Sequence, residues 1–555
     1  MKHVLPFSNR PFKIPTWRDL ALLVFFSLTA IYPVAAQNKI WDKTFGSNGS
    51  DELTLAIPTQ DGGYLLGGTS SSGVSGDKTQ VGRGDVDYWL VKLKADGSKM
   101  WDKTFGGKDY DVLTSVYQTS DGGYIIGGTS QSGISGDKSE NFKNQFSFYG
   151  DYWVLKLDAE GNKVWDKTIG GSSYERLAAV LPTKDGGYLL GGTSSSGISG
   201  DKSEVNKGRE DYWVVKLHAD GKVEWDKTLG GAENDQLNSV LQTQNGDYVL
   251  GGTSTSGASG DKSEKSRDKN SSFTGDYWLI KLTPEGDKVW DKTLGGTEED
   301  LLSTVISTRD GGFLLGGSSN SGWGGDKTQV KRDTIGYNDF FPGQDYWVIK
   351  INAEGNKEWD KTLGGNMYDR LSSVLQTADG GYLLGGSSTS NVSGEKTESN
   401  VGFFTDYWLV KIKADGRKDW DKTVGGTQDD NLKSAFQLSD SNFLLFGSSF
   451  SGISGDKSVT TRGGADYWVV KLDNNISYKK EQIITFGSIT YKDYLSQKTF
   501  ALTAVSSGGL PISYNIVSGP ATVKGNLLTL TGTGTVIVEA NQAGNASYDP
   551  ANNHQ

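Results

Sequence analysis

The 555-residue sequence contains no cysteine, only 3 histidines and only 11 prolines. Without cysteine the chain has no disulfide scaffold, no thiolate metal site and no cysteine nucleophile. So few histidines, together with the absence of a G-x-S-x-G motif, leave zinc and serine-hydrolase chemistry without its residues. Little proline beside 76 glycines and 11% aromatic residues excludes collagen and a disordered tract. The glycine content instead indicates many tight turns between short strands.

Acidic residues outnumber basic ones, 67 against 56, and the formal net charge is −11. Because nucleic-acid binders carry a basic footprint, no nucleic-acid partner is expected.

Residues 1–36 have the pattern of a secretory signal peptide: basic residues, an apolar run over residues 20–31, and small residues ending at Ala36. The apolar run is too short for a comfortable membrane span of ~20 residues. We therefore expect cleavage after Ala36, no stable membrane span in the mature chain, and a secreted or cell-surface location. The alternative is an uncleaved anchor.

The sequence after residue 40 repeats itself seven times. The tetrapeptide W-D-K-T begins at Trp41, Trp101, Trp165, Trp225, Trp290, Trp359 and Trp420. A G-D-K or G-E-K tripeptide has its acid at Asp77, Asp137, Asp201, Asp261, Asp326, Glu395 and Asp456. A D-Y-W tripeptide begins at Asp87, Asp151, Asp211, Asp276, Asp345, Asp406 and Asp466.

The spacing of these landmarks confines all length variation to one loop per unit. The W-D-K-T tryptophan precedes the G-D-K acid by 36 residues in every unit, and D-Y-W precedes the next W-D-K-T by 14. Only the segment from the G-D-K acid to D-Y-W varies, from 10 to 19 residues. An invariant remainder is typical of a repeat that packs against both neighbours.

Each unit has the pattern of four short strands separated by glycine turns. In residues 365–425, for example, the strands are predicted at 372–376, 382–387, 407–412 and 419–424. Seven such units predict an all-β fold, a seven-bladed β-propeller. The first W-D-K-T strand has no three strands before it, and the last unit has no fourth strand. The N-terminal strand is therefore predicted to close the last blade; the alternative is an open β-solenoid.

Segments such as D-G-G-Y-L-L-G-G-T-S and D-Y-W-V-V-K-L resemble the β-propeller repeats of secreted bacterial proteins of the Bacteroidetes type, over residues 38–474. That resemblance implies an exported multidomain protein and brings no defined catalytic residues.

Residues 481–555 contain several short strand-like segments, which indicates a small β-sandwich. Pieces such as L-T-L-T-G-T-G-T-V-I-V-E-A resemble bacterial immunoglobulin-like modules of surface proteins. The strand that normally follows the Q-A-G-N-x-x-Y segment of that family has no counterpart here, so the module is expected to be truncated or to lack that strand.

The variable loops share one face of the predicted propeller, because second-to-third-strand loops and blade connections lie at the same side. Recognition tends to occur on loops held by a rigid scaffold. Aromatic side chains in these loops are suited to stack on sugar rings or to anchor a protein partner. The alternative is that they pack over the blade tops. The ligand-binding candidates are Phe142, Phe146, Phe148, Tyr149, Phe273, Tyr337, Phe340, Phe341, Phe403 and Phe404.

The repeated acids are predicted to hydrogen-bond turn amides rather than to bind metal, because no D-x-D-x-D-G series is present. No cofactor or metal is expected, with calcium as the alternative. We expect a secreted or cell-surface, non-catalytic binding or adhesion module that recognises an extracellular glycan or protein through the variable loops. The alternatives are a structural scaffold domain of a larger surface protein and a polysaccharide-active enzyme with paired carboxylates.

Overall fold

The computed structural model describes residues 39–144, 150–267, 274–332, 343–473, 482–486 and 498–544, together with Tyr548 and Ala551. In these residues every regular element is a β-strand, and the described part includes no helix that could cross a membrane. The chain divides into a unit Asn38–Asn474 and a second unit that includes Asn475–Gln555. The all-β class predicted from the sequence is confirmed.

Twenty-eight strands form seven four-stranded antiparallel sheets, here called blades 1 to 7. The strands of blades 1 to 3 are Asp51–Pro58 (β2), Tyr64–Ser70 (β3), Asp87–Leu93 (β4), Lys99–Phe105 (β5); Asp111–Gln118 (β6), Tyr124–Ser130 (β7), Asp151–Leu157 (β8), Lys163–Ile169 (β9); Glu175–Pro182 (β10), Tyr188–Ser194 (β11), Asp211–Leu217 (β12) and Val223–Leu229 (β13). Those of blades 4 to 6 are Asp235–Gln242 (β14), Tyr248–Ser254 (β15), Asp276–Leu282 (β16), Lys288–Leu294 (β17); Asp300–Ser307 (β18), Phe313–Ser319 (β19), Asp345–Ile351 (β20), Lys357–Leu363 (β21); Asp369–Gln376 (β22), Tyr382–Ser388 (β23), Asp406–Ile412 (β24) and Lys418–Val424 (β25). Blade 7 consists of Asp430–Gln437 (β26), Phe443–Ser449 (β27), Asp466–Leu472 (β28) and the N-terminal strand Lys39–Phe45 (β1).

The N-terminal strand closes the ring, as predicted. Strand β1 pairs antiparallel with β28, with Asp42 opposite Val470. The first strand of each blade packs against the first strands of both neighbouring blades, and β2 packs against β26. The blades therefore form a closed seven-bladed β-propeller whose first strands surround a central channel. An open solenoid is excluded by the contact of the first blade with the last.

Each blade is attached to the next by the tyrosine of its D-Y-W tripeptide. The Tyr88 hydroxyl donates to the Trp153 carbonyl of blade 2 at 3.2 Å, and the two ring centroids lie 5.0 Å apart. The same contact closes the ring, because the Tyr467 hydroxyl donates to the Trp89 carbonyl at 3.1 Å. It recurs at every interface, with O···O distances of 3.0–3.3 Å. These tyrosines and tryptophans are fully buried.

This contact requires glycine on the strand that the tyrosine crosses. A Cβ on Gly68 would lie 2.6 Å from the Tyr467 hydroxyl and 2.1 Å from the Glu52 carbonyl oxygen. Interior glycine weakens a strand, and its use here marks a close approach. The second glycine of a G-G step has the same role at Gly128, Gly192, Gly252, Gly317 and Gly386, and in blade 7 the role falls to Gly447, which follows Phe446.

The three sequence landmarks meet inside each blade. In blade 2 the Trp153 indole N–H donates to Asp166 of W-D-K-T at 3.1 Å. The ammonium of Lys138, from G-D-K, lies 5.3 Å from the centroid of the Trp153 ring. Burial lowers the pKa of Lys138 to about 8. The constant spacing between D-Y-W and W-D-K-T follows from the Trp153–Asp166 contact, whereas the contact of Lys138 with Trp153 spans the variable loop.

The second unit contains the short strands Ile484–Phe486 (β29), Thr499–Ala501 (β30), Ala504–Ser506 (β31), Ser513–Ser518 (β32), Ala521–Lys524 (β33), Leu527–Leu530 (β34) and Ile537–Asn541 (β35). They pair as β29 with β31, β30 and β33 with β34, and β32 with β35. Their small apolar core includes Phe500, Leu528 and Val538. The described part of this unit is thus a set of paired strands around a core of its own.

The role of the crossing glycine predicts a large difference between two Gly→Ala substitutions in blade 1. Gly68→Ala places a methyl group against the Tyr467 hydroxyl and should destabilise the propeller by about 2–3 kcal/mol. Gly73→Ala is the control: its Cβ meets nothing within 4 Å, so we expect a change within about 0.5 kcal/mol. Urea unfolding followed by tryptophan fluorescence measures both. Equal midpoints for the two variants would contradict the crossing contact.

Candidate functional site

The second-to-third-strand loops lie with the blade connections on one face, here called the loop face. In blade 1 the Asp77 amide donates to the Gly46 carbonyl at 2.8 Å, and the Gly46 amide donates to Asp77 Oδ2 at 3.1 Å. Gly46 follows β1 and leads into β2, so this pair ties the loop to the start of the innermost strand. The arrangement holds the base of every variable loop in place.

The repeated acids on the loop face accept hydrogen bonds from backbone amides, as predicted. The acid of each G-D-K or G-E-K accepts from the first glycine after a fourth strand, at 3.1–3.3 Å. The aspartate of each D-Y-W accepts an amide from its own variable loop, at 2.5–2.8 Å. The G-D-K acids and the D-Y-W aspartates therefore both hold backbone segments of the loop face in position.

A ring of ion pairs joins neighbouring blades on this face. The residue six positions after the G-D-K acid is basic in six units, and its side chain contacts the G-D-K acid of the next blade. The N···O distances are 2.7–3.7 Å for Arg83–Asp137, Lys143–Asp201, Lys207–Asp261, Arg267–Asp326, Arg332–Glu395 and Arg462–Asp77.

The ring of ion pairs is interrupted between blades 6 and 7. Val401 occupies the position of the basic residue, so Asp456 lacks the partner that its equivalents have. Burial raises the pKa of Asp456. The sequence carries this signal as a constant spacing of six residues at the start of the segment whose total length varies.

Pairs of buried carboxyl groups meet at the blade interfaces. The Val401 amide donates to Asp406 Oδ2 at 2.6 Å, and the Gly426 amide donates to Asp430 Oδ2 at 2.6 Å. The Oδ1 atoms of Asp406 and Asp430 have no hydrogen-bond partner. Burial, and then the charge of Asp430, raises the pKa of Asp406 to about 8. Protonation of Asp406 removes the repulsion between two buried negative charges.

Among the described residues no group of three or more His, Cys, Asp or Glu side chains is arranged to hold a metal ion.

Three of the ten candidate aromatic residues belong to the described part of the loop face. Phe142 is half-buried beside Gly133, Phe404 is partly exposed, and Phe403 is 98% exposed. The short loop of blade 6 that carries Phe403 is held in place by Asn400, whose side-chain amide donates to the Ser388 carbonyl at 2.6 Å. The other candidates lie outside the described residues: Phe146, Phe148, Tyr149, Phe273, Tyr337, Phe340 and Phe341.

A second set of exposed apolar side chains on the loop face was missed in the sequence. It occupies the central position of the S-G-x-S-G or S-G-x-G-G segment and its equivalent in blade 6, directly before the G-D-K or G-E-K acid. Six of the seven side chains are large and 54–72% exposed: Val74, Ile134, Ile198, Trp323, Val392 and Ile453. Blade 4 has Ala258 there. The signal that could have identified them is an apolar residue between two glycines, where no strand pattern buries it.

No family model matches the chain. A curated relative, Regulatory protein FlaEY of Caulobacter vibrioides, is 24% identical over 417 residues, which cover 71% of this chain and 42% of that protein. The chain thus spans less than half the length of this relative.

Similar solved structures include a protein of unknown function from Dyadobacter fermentans, with 13% identity, coverage of 78% of this chain and 98% of that one, and a TM-score of 0.39. The WD40 domain of Neurospora crassa Pan2 has 8% identity, covers 77% of this chain and 90% of that one, and has a TM-score of 0.40. The ring closure described above, rather than these likenesses, establishes the propeller.

The raised pKa of Asp406 predicts that stability falls as the pH rises. Between pH ~4 and ~8 the folded chain holds a proton on this carboxyl that the unfolded chain releases, so stability is lost through this window. Asp406→Asn carries a permanently neutral side chain. At pH 8 it should be more stable than the parent by about 1 kcal/mol, and at pH 5 nearly equal.

Asp421→Asn is the matched control in the same blade. Asp421 accepts from the Thr397 amide and hydroxyl, the Trp408 indole and Lys418, at 2.7–3.0 Å. Its loss should cost about 2 kcal/mol at both pH values. Melting temperatures at pH 5 and pH 8 distinguish the variants, and an Asp406→Asn protein that is less stable than the parent at pH 8 would show that the pKa of Asp406 is not raised.

Proposed function

We propose that the protein is a non-catalytic binding module that takes an extracellular glycan or protein on its loop face. The observation that carries this proposal is the set of exposed apolar side chains at equivalent positions around the ring, of which Trp323 is the largest. Exposed apolar side chains grouped on one face mark interaction sites. The hydrogen-bonded loop bases beneath them supply the rigid support that such sites use.

The contact is proposed to be centred on blades 5 and 6. Trp323 of blade 5 and Phe403 of blade 6 are the two most exposed aromatic side chains of the described loops, at 72% and 98%. The adjacent interface is also the one where Val401 interrupts the ring of ion pairs. Aromatic rings with free faces stack on sugars and anchor protein interfaces.

The protein is further proposed to be exported to the surface or the medium of a bacterium. The support is the pattern of residues 1–36, which lie outside the described residues, and the resemblance of the repeats to exported proteins of the Bacteroidetes type. The second unit is proposed to be an immunoglobulin-like module, because its described strands pair around a separate apolar core.

A catalytic role is less well supported than binding. The paired acids, which would be the reacting groups of a polysaccharide-active enzyme, are buried and recur from blade to blade in the same hydrogen bonds. Recurrence favours a structural use, since a catalytic constellation is needed once.

Loss of the two aromatic rings should weaken ligand binding. A glycan array and a pull-down from extracellular material identify the ligand, and titration then compares Trp323→Ala/Phe403→Ala with the parent. We expect binding to be at least about tenfold weaker, as for central aromatic anchors.

Met100→Ala is the control, because Met100 is also exposed and apolar but lies on the fourth strand of blade 1. It should bind within about twofold of the parent. If the double variant binds as tightly as the parent, the assignment of the loop face is wrong. Turnover of a polysaccharide by the purified protein would favour the enzyme, and a parent that binds nothing in either screen would favour a scaffold.

A further inference from the structure

The first strand of each blade is its innermost strand. The second and fourth residues of this strand face the central channel. The first and third residues of these strands are buried, whereas the second and fourth are accessible to solvent or half-buried. Because side chains of a strand alternate between its faces, and these strands surround the axis, the accessible side is the channel. The first residue of each strand lies at the loop face, so these two positions form the channel mouth on that face.

The residues at the channel mouth do not repeat. The second position is Glu52, Val112, Arg176, Gln236, Leu301, Arg370 and Asn431. The fourth position is Thr54, Thr114, Ala178, Asn238, Ser303, Ser372 and Lys433. Three of these side chains are cationic and one is anionic, and the Glu210 carboxylate accepts from Gln236 at 3.0 Å, so the local balance is one positive charge in a chain whose net charge is −11. A local charge opposite to that of the whole chain attracts anions to this point.

Lys433 stands in the channel beside a second cation. Its side chain is accessible to solvent, yet burial lowers its pKa; the charge of Glu52 raises the pKa, and that of Arg370 lowers it. Accessibility combined with desolvation is expected of a side chain inside a water-filled channel. Neither Lys433 nor Arg370 forms a hydrogen bond or ion pair through its side chain with a described residue. Two neighbouring cations with free donors are stabilised by an anion between them.

Arg176 is on the far side of the mouth and is oriented by a neutral partner. Its Nη2 donates to the Asn238 Oδ1 at 3.3 Å, and the Asn238 amide donates to the Leu302 carbonyl at 2.8 Å. The guanidinium charge is therefore directed by an amide and is not cancelled by a carboxylate.

The buried acids at the first position of the innermost strands are directed away from the mouth. Asp369 and Asp430 are fully buried and accept the amides of Gly365 and Gly426 at 2.7 and 2.6 Å. Burial raises the pKa of each to about 6. They are directed into the blade interfaces, so Glu52 is the one carboxylate among the described residues at the two mouth positions.

Apolar side chains follow farther from the loop face, beyond a bulge between the third and fifth residues of each innermost strand. The seventh position of the innermost strands is Ile57, Tyr117, Leu181, Leu241, Ile306, Leu375 and Phe436. An anion therefore meets its partners at the loop-face end, and an apolar section follows them.

We propose that the channel mouth on the loop face binds an oxyanion, a carboxylate, sulfate or phosphate group, between Arg370 and Lys433 with Arg176 opposite. The group is either a free ion or a substituent of a larger ligand that reaches the loop face. The site goes beyond the proposed function, because a small anion needs none of the exposed apolar side chains.

Titration calorimetry of the full chain with sodium sulfate, sodium phosphate and sodium glucuronate tests the site, with sodium chloride and glucose as controls. We expect saturable binding of at least one of the three oxyanions, weaker as NaCl rises from ~0.02 to ~0.2 M. The anion that binds most tightly shows whether the site takes a sulfate, a phosphate or a carboxylate group. Arg370→Gln and Lys433→Gln should each weaken binding about tenfold, since each removes a charge-assisted hydrogen bond.

Lys94→Gln is the matched control, because Lys94 is an exposed cation in the turn after β4, away from the channel. It should bind like the parent. Unfolding midpoints check that the channel variants are folded, as expected for side chains without hydrogen bonds to described residues. No saturable binding of any oxyanion, or equal binding by the parent and both folded channel variants, would overturn the site. Either result leaves the ligand screen of the loop face to be judged on Trp323 and Phe403.

Discussion

The propeller depends on one contact, the tyrosine hydroxyl that crosses a neighbouring blade to reach a tryptophan carbonyl. This contact joins blade 1 to blade 2 through Tyr88 and Trp153, and blade 7 to blade 1 through Tyr467 and Trp89. It buries two large aromatic rings at each interface and requires glycine on the strand between them. These glycines and the seven D-Y-W tryptophans are therefore consequences of the way the blades are joined.

The same contact between the blades also determines where charged groups are buried. Packing the landmarks around the tryptophan buries a lysine and carboxyl groups in each blade, and unpaired charges are costly there. The structure compensates locally: Lys138 lies against the Trp153 ring, and Asp166 accepts from the indole. Where Asp406 lies near Asp430, burial and the neighbouring charge raise the pKa of Asp406 and so favour its protonated form. Buried lysine and carboxyl groups recur in every blade. Residues differ between blades in two regions, the tips of the loops and the side chains that face the channel.

The fold could be predicted from the sequence because its determinants recur at constant spacing. The missing strand partners at the two ends of the repeat predicted the pairing of β1 with β28. The site could be predicted only in part. Phe403 is exposed as a ligand contact must be, but the exposure of Trp323 could not be predicted, because its segment has constant length and no strand alternation that tells whether the side chain is buried. The cations of the channel could not be identified, since alternation along a strand does not tell which side faces the axis until the ring is closed.

A sevenfold repeat separates structure from recognition, because a structural role appears in every unit and a site for one ligand does not. Four departures from the repeat lie on adjacent blades, Trp323 in blade 5, Arg370 and Val401 in blade 6, and Lys433 in blade 7, whereas Arg176 lies on blade 3. Two of them carry an electrostatic cost, since Asp456 loses its cation beside Val401 and Lys433 is desolvated near Arg370. Departures from local rules that lower stability are expected at functional sites. Their concentration on three adjacent blades supports placing both the apolar contact and the anion site on that side of the ring.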